Sequence, residues 1–192
     1  MPRYNPEKRE QLAEQMRADI MRCYTRLAAE TGDVSMERLA AEVGIAKGTL
    51  YLYYKTKADL LRAALALGRS RMLERMTETL NKSISAPEKI EQYARWMMEE
   101  FREHRLLRME YLRNNNQPPL PKNVAAFDIL SRIIEQGIAE KTIRDMNVED
   151  VVFLIRSSLI GQFAYLLREG RELDMDRSIF MFKDVILRGI LR

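Results

Sequence analysis

The segment from Lys47 to Tyr53 combines side chains that suit contact with a nucleic acid. Lys47 and Thr49 can donate hydrogen bonds to bases or phosphates, and the hydroxyls of Tyr51 and Tyr53 can reach phosphate oxygens. Gly48 lacks a side chain and permits close approach of the backbone. These residue types at this spacing predict DNA contact. The alternative is that the tyrosines only pack a small helical domain.

The charges around this segment favour the same interpretation. No acidic residue stands between Glu42 and Asp59, whereas Lys47, Lys55 and Lys57 fall inside that interval. The stretch can therefore approach phosphates without repulsion between like charges. The whole chain is only mildly basic, with 32 basic against 28 acidic residues and a net charge of +4. The local absence of acids is more informative than the total charge.

Two short helices joined by a glycine must position the segment. Ser35 can cap the first helix, Gly44 provides the turn, and the second helix runs from about residue 46 to 53. Leu50 should face inward. This arrangement is a helix-turn-helix, which inserts its second helix into the major groove of DNA.

Long apolar patterns of helical period, punctuated by 8 glycines and 6 prolines, predict an all-α fold of about nine helices. The first helix is capped by Asn5 and ends at Gly32, and a connector helix runs from Lys57 to Leu80. Asn114–Pro121 reads as a loop, because its prolines and asparagines cannot sustain a helix. Residues 1–60 form the predicted three-helix, helix-turn-helix DNA-binding domain, and 61–192 a helical effector-binding and dimerisation domain.

A family resemblance makes the prediction more specific. Leu39-Ala40, then the run from Val43 to Tyr54, and Lys57 resemble the signature of the TetR family of transcriptional regulators. The resemblance covers about residues 17 to 62. Ala46 stands where the family usually has a capping serine, and Tyr54 where it usually has a phenylalanine. A missing side-chain cap costs a helix about 1 kcal/mol.

The resemblance also implies roles for single residues. It implies that Ser35 and Met36 lie where the scaffold helix meets the DNA backbone, and that Lys57 meets a phosphate from the start of the fourth helix. It places five residues of the second short helix at the DNA surface: Lys47, Gly48, Thr49, Tyr51 and Tyr53.

A small-molecule effector is expected among the middle helices, where the resemblance implies a pocket. Methionine-rich apolar residues there could line a site that adapts to apolar ligands. The alternative is a plain helical core. The candidate lining residues are Met72, Met76, Met97, Met98, Phe101, Met109, Tyr111 and Phe127.

A homodimer is expected through the last two helices. Small residues on the helix from Val148 to Glu169 allow another helix to approach closely. The candidate interface residues are Ser157, Ile160, Gly161, Ala164, Phe182, Val185 and Ile186.

Other classes of function find little support. The single histidine, His104, has no neighbouring nucleophile motif and is expected at an exposed helix junction, so no catalytic residue is assigned. The single cysteine, Cys23, excludes an internal disulfide, and neither a metal site nor a cofactor is expected. No membrane span or signal peptide is recognised, so we expect a cytoplasmic protein without a membrane partner.

Together these patterns predict a ligand-responsive repressor that binds a palindromic operator in double-stranded DNA as a homodimer. A small, apolar effector would release it. Two alternatives stay open. One is a DNA-binding regulator that has no effector, and the other is a helical adaptor that binds proteins through the same basic face.

Overall fold

The computed structural model describes residues 6–113 and 124–192, and those residues form helices without a β-strand. The Asn5 cap, the loop Asn114–Pro121 and the first residues of the helix expected from Lys122 lie outside the described residues. The helices are α1 Pro6–Thr31, α2 Met36–Val43, α3 Lys47–Tyr53, α4 Lys57–Leu80, α5 Ala86–Glu103, α6 Arg105–Arg113, α7 Val124–Ala139, α8 Val148–Arg168 and α9 Met175–Met181.

The final helix does not end at Met181. It continues through a π-helical segment, Phe182–Leu187, into α10, Arg188–Ile190. Counted as one continuous helix, these pieces bring the described helices to nine. The all-α prediction is confirmed.

The chain forms two compact units. The first comprises the described residues of Met1–Leu67 and Leu106–Pro119, and the second comprises those of Gly68–Arg105 and Leu120–Arg192. Both α4 and α6 contribute residues to each unit. The domain boundary at residue 60 stays a prediction.

In the first unit, α1 packs on α2 and α2 packs on α3. Gly32 stops α1 with a φ of +74°, a left-handed conformation that glycine adopts without strain. Apolar residues at helical spacing along α1, from Met16 to Leu27, are buried or half-buried, but Leu12 is 63% exposed. The core residues are Ile20, Met21, Tyr24, Leu27, Ala28, Val34, Met36, Leu39, Ala40, Leu50, Leu60, Leu61, Ala64, Leu65, Leu107 and Tyr111.

In the second unit, α5 packs against α7, α8 and α9, and also against the π-helical segment. A capping box starts α5: the Ser85 hydroxyl accepts a hydrogen bond from the Glu88 backbone N–H, and the Glu88 carboxylate accepts one from the Ser85 backbone N–H. The side chains of Asn147 and Asp174 cap α8 and α9 by accepting hydrogen bonds from the backbone N–H groups of Asp150 and Arg177. Near the middle of the core, the rings of Phe101 and Phe163 stack with centroids 4.0 Å apart.

Helix α8 is long and apolar enough to cross a membrane by length and composition alone. Such a helix also occurs in the core of globular proteins. One side of α8 is buried in the second unit, and its Arg156 donates a hydrogen bond of 3.2 Å to the hydroxyl of Tyr93 on α5. These contacts attach one side of α8 to the second unit, while its other side is exposed.

His104 lies at a helix junction, as expected, but the expectation that it is exposed is wrong. It follows α5 directly and only 8% of it is exposed. The cause is Gly68 on α4, which leaves room for the imidazole: a Cβ on Gly68 would lie 2.8 Å from His104 Cε1. The ring nitrogen Nδ1 lies 3.0 Å from the Glu100 carbonyl oxygen.

Candidate nucleic-acid interface

The turn between α2 and α3 is formed by local interactions that the sequence predicts. The Ser35 hydroxyl accepts a hydrogen bond of 3.1 Å from the backbone N–H of Arg38, which caps α2. Gly44 ends α2 with a φ of +78°. The backbone N–H of Ile45 then donates to the Ala40 carbonyl at 3.0 Å, which closes the turn.

Helix α3 presents nearly all of its surface outward. Leu50 is the only buried residue of α3 and is fully covered. Because successive helical residues are rotated by about 100°, Gly48 and Leu52 lie on the side opposite Leu50. Tyr51 is 39% exposed and flanks that side, while Thr49 and Tyr53 are half-buried.

Ala46 begins α3 without a side-chain cap. Its carbonyl accepts hydrogen bonds from the backbone N–H groups of Thr49 and Leu50, at 2.9 and 3.1 Å. The Ala46 side chain accepts no hydrogen bond from the first N–H groups of α3, at a position where the resembling family usually has a serine. Leu50 is the only fully buried residue of this short helix.

Lys47 is held by a carboxylate that the sequence pattern did not reveal. Its ammonium group forms an ion pair with Glu37 of α2, and it lies 5.8 Å from the centre of the Tyr51 ring. The hydrogen bond with Glu37 raises the pKa of Lys47, and the same bond lowers the pKa of Glu37. Both side chains are about half exposed, so a phosphate could displace Glu37.

Lys57 is held more firmly, by two carboxylates. Its ammonium nitrogen pairs with Asp33 and lies 2.6 Å from an oxygen of Glu110 on α6. Burial alone would lower the pKa of Lys57, but the hydrogen bonds with Asp33 and Glu110 outweigh burial and raise it. Beneath this cluster the Tyr24 hydroxyl is buried, and burial followed by the charges of Glu110 and Asp33 raises its pKa. Lys57 is therefore charged and bridges the connection between α1 and α2, through Asp33, to Glu110 of α6.

The remaining predicted DNA contacts lie in different environments. Ser35 is exposed at the start of α2, whereas Met36 is only 7% exposed and belongs to the core of the first unit. Gly48 is open, since a Cβ there would meet nothing within 4 Å. The guanidinium carbon of Arg17 on α1 lies 5.8 Å from the centre of the Tyr53 ring, which adds a cation beside α3.

The candidate pocket residues do not all fall in one unit. Met109 and Tyr111 lie in the first unit, and the other six lie in the second. Of those six, Met72, Met76, Met98 and Phe101 are buried in the core, and Met97 and Phe127 pack against it. A cavity of about 60 Å³ adjoins Met72 and is also lined by Trp96, Glu100 and His104. Within the described residues, no group of His, Cys, Asp and Glu side chains could hold a metal ion.

Most candidate dimer residues form an exposed face on the second unit. Ser157, Ile160, Gly161, Ala164 and Val185 are exposed and Ile186 is half-buried. Phe182 lies inside the core. Other large apolar side chains are exposed on the same two helical segments: Phe153, Leu154, Tyr165, Phe180 and Met181.

The sequence patterns did not indicate several residues of the candidate nucleic-acid interface around α3. No role was predicted for Leu52, which is 83% exposed on α3, or for Arg17, which lies beside the Tyr53 ring. Glu37 and Glu110 are distant from their lysine partners along the chain. Exposure and long-range pairing depend on packing, and no local pattern reports them.

Comparison with known proteins agrees with this geometry. Residues 26–64 match the family described as bacterial regulatory proteins, tetR family. The fatty acid metabolism regulator protein of Bacillus subtilis (strain 168) is 34% identical over 55 residues, which make up 29% of this chain and 28% of that protein. The family match therefore contains the helix-turn-helix, and the likeness to this relative spans less than a third of either chain.

Solved structures extend the likeness to nearly the whole chain. The transcriptional regulator FadR of Bacillus subtilis, in complex with stearoyl-CoA, aligns over 90% of this chain and 98% of its own, with a TM-score of 0.68 and 20% identity. A TetR transcription regulator from Haloarcula marismortui aligns over 93% of this chain and 100% of its own, with a TM-score of 0.72 and 19% identity. At these identities the likeness shows a shared fold.

Proposed function

From the match of residues 26–64 to the tetR family of bacterial regulatory proteins, we propose that the chain is a ligand-responsive transcriptional repressor of that family. It binds a palindromic operator as a homodimer and is released by a small, apolar effector. Its place is the cytoplasm. The observation that supports this function best is the outward face of α3, which offers Gly48 and Leu52 opposite its single buried residue, Leu50, with Tyr51 beside them.

DNA binding follows from the face and its surroundings. The exposed face of α3 fits the major groove, while Ser35 and Lys57 stand at the starts of α2 and α4, where they can reach the phosphates on either side. When DNA binds, phosphates replace Glu37 as the partner of Lys47 and replace the two carboxylates that pair with Lys57. Arg17 and Lys55 add positive charge beside the groove.

Dimerisation follows from the exposed apolar face on α8 and the final helix. Phe153, Ile160, Phe180 and Val185 are each at least half exposed, with values from 50% to 66%. Large apolar side chains exposed in this number are uncommon on a monomer and mark an interaction surface. Gly161, whose position is open, allows the two copies of α8 to approach closely. A two-fold dimer then presents two copies of α3 to a palindrome.

Release by an effector is a population shift. A ligand that prefers a conformation with wrongly spaced α3 helices lowers operator affinity, typically by about 1–3 kcal/mol of coupling. The methionine-rich core of the second unit is adaptable and could enclose an apolar ligand. The stearoyl-CoA complex of the B. subtilis regulator provides a precedent within this fold.

The decisive experiment begins with selection of binding sites from random double-stranded DNA by the purified wild type. The affinity of the selected site is then measured against salt concentration for wild type and for the double variant Lys47→Ala, Tyr51→Ala. Removal of the Lys47 ammonium should weaken binding and reduce the salt slope by about 1 for each phosphate that the protein no longer neutralises. Lys82→Ala, which removes an exposed lysine of the second unit, is the matched control and should bind as wild type.

The result also separates the two rival functions. An unenriched selection, with only weak binding at physiological salt, would favour a helical adaptor. A selected operator whose binding is insensitive to acyl-CoA thioesters and other apolar ligands would favour a regulator without an effector. Unchanged operator binding by a folded double variant would overturn the assignment of α3.

A further inference from the structure

Leu52 is the most exposed large apolar side chain among the described residues, at 83%. It lies in the middle of the surface that we assign to DNA. Its neighbours on α3 are otherwise suited to polar contact: Lys47 is an exposed cation and Tyr51 carries a hydroxyl. Leucine gains nothing from exposure to water, and it contributes to binding only when an apolar surface covers it.

Helical geometry joins Leu52 to Gly48. The two residues are four apart, so they share one side of α3, about 160° away from the buried Leu50. Because helical side chains lean toward the N-terminus, the leucine covers the turn that contains Gly48. A Cβ on Gly48 would meet nothing within 4 Å, so the backbone beside the leucine is open. Leu52 and Gly48 together form a shallow apolar notch.

The major groove of DNA offers one apolar group to such a notch. Bases present donors and acceptors there, and thymine alone adds a methyl group, on C5. Lys47 and Lys55 on either side favour the polyanion over a neutral or basic partner. Resting on the proposed function, we propose that Leu52, seated beside Gly48, reads the C5 methyl group of one thymine in each half-site of the operator.

The test removes the methyl group from the DNA and the leucine from the protein. Each thymine of the selected operator is replaced in turn by deoxyuridine, which keeps every hydrogen-bonding group. Wild type should lose about fourfold in affinity at one position per half-site, the factor expected for one buried methyl group. Leu52→Ala should bind the thymine operator more weakly by at least a similar factor, and it should no longer distinguish thymine from deoxyuridine.

Two further variants keep the outcome interpretable. Leu52→Met retains an apolar side chain and should still distinguish thymine from deoxyuridine. Leu67→Ala replaces an exposed leucine of α4 and should leave that discrimination unchanged. Leu52→Ala should melt as wild type does, because the side chain is exposed. Indifference of wild type to every deoxyuridine, or full discrimination by Leu52→Ala, would overturn the inference while leaving operator binding intact. Failure to select any operator would instead defeat the proposed function.

Discussion

The ammonium nitrogen of Lys57 lies 2.6 Å from a carboxylate oxygen of Glu110, a residue of α6. If Lys57 contacts a phosphate in the complex, this carboxylate competes with DNA for the same cation. We expect Glu110→Gln to raise operator affinity by about two- to fivefold, because partly exposed ion pairs contribute up to about 1 kcal/mol. Fluorescence anisotropy at fixed salt measures the change.

The control for this prediction is Glu99→Gln, which removes the same charge from a residue paired with Arg75 in the second unit. It should change operator affinity far less. Weaker binding by Glu110→Gln would mean that the carboxylate positions Lys57 for DNA and does not compete for it.

Gly48→Ala should separate the stability of α3 from its role in binding. Alanine has the higher helix propensity and meets no neighbour here, so the free protein should gain about 0.5–1 kcal/mol of unfolding free energy. Operator affinity should fall by about tenfold, since the methyl group occupies the surface that faces the groove. Thermal melting and operator titration together test this, and unchanged affinity would exclude close approach at Gly48.

Introducing charged residues into the exposed face of α8 and the final helix should disrupt the dimer. Ile160→Asp combined with Val185→Asp buries unpaired carboxylates in the dimer, which costs about 3 kcal/mol or more and weakens association at least about 100-fold. Sedimentation equilibrium should then detect monomers. Val124→Asp alters an exposed valine elsewhere in the second unit and should leave the dimer intact. A wild-type monomer at micromolar concentration would contradict the proposal.

The close approach of α4 to His104 should make Gly68 intolerant of a side chain. A Cβ there would lie 2.8 Å from His104 Cε1 and 3.1 Å from Glu100 Oε1, so Gly68→Ala should destabilise the protein by about 1–3 kcal/mol. Chemical denaturation measures this change in unfolding free energy. Gly189→Ala, at an open helical position, should cost nothing. Adding His104→Ala should restore part of the stability, and strictly additive effects would argue against the contact.

The pair of cations around Glu91 predicts a pH-dependent contribution to stability. Burial alone would raise the pKa of Glu91, but hydrogen bonds from Lys183 and Arg95 outweigh it and lower the pKa. Because the pKa of Glu91 is lower in the folded than in the unfolded protein, its charge stabilises the fold at pH values above the ordinary pKa of a carboxyl group. This contribution is lost as the pH falls through the folded-state pKa. Glu91→Gln should therefore lower the melting temperature by about 2–4 °C at neutral pH.

The same variant should approach wild type in acid. Melting curves from neutral pH to below the ordinary carboxyl range measure the convergence. A difference that persists unchanged across that range would show that Glu91 acts through packing and not through its charge.

Features with local causes could be predicted from the sequence. The all-α class, the turn at Gly44 and the caps at Asn147 and Asp174 each depend on residues within one or two turns of each other. The same holds for the inward orientation of Leu50, which follows from helical period.

Features that depend on packing could not be predicted. The gap in acidic residues around α3 exists along the chain but not in space, because Glu37 reaches Lys47 from the preceding helix. The burial of His104 requires knowledge that Gly68 faces it. The burial of Phe182 depends on which side of the final helix packs against α5, and the sequence alone does not specify that side.

The exposure of most of α3 has a consequence for how this protein changes over generations. Four of the seven residues of α3 are exposed, so under the proposed function substitutions among them would alter which DNA is bound at small cost to folding. Recognition and stability are nearly uncoupled in this helix. A duplicated copy of the gene could thus acquire a new operator by few mutations, none of which endangers the fold that both copies need.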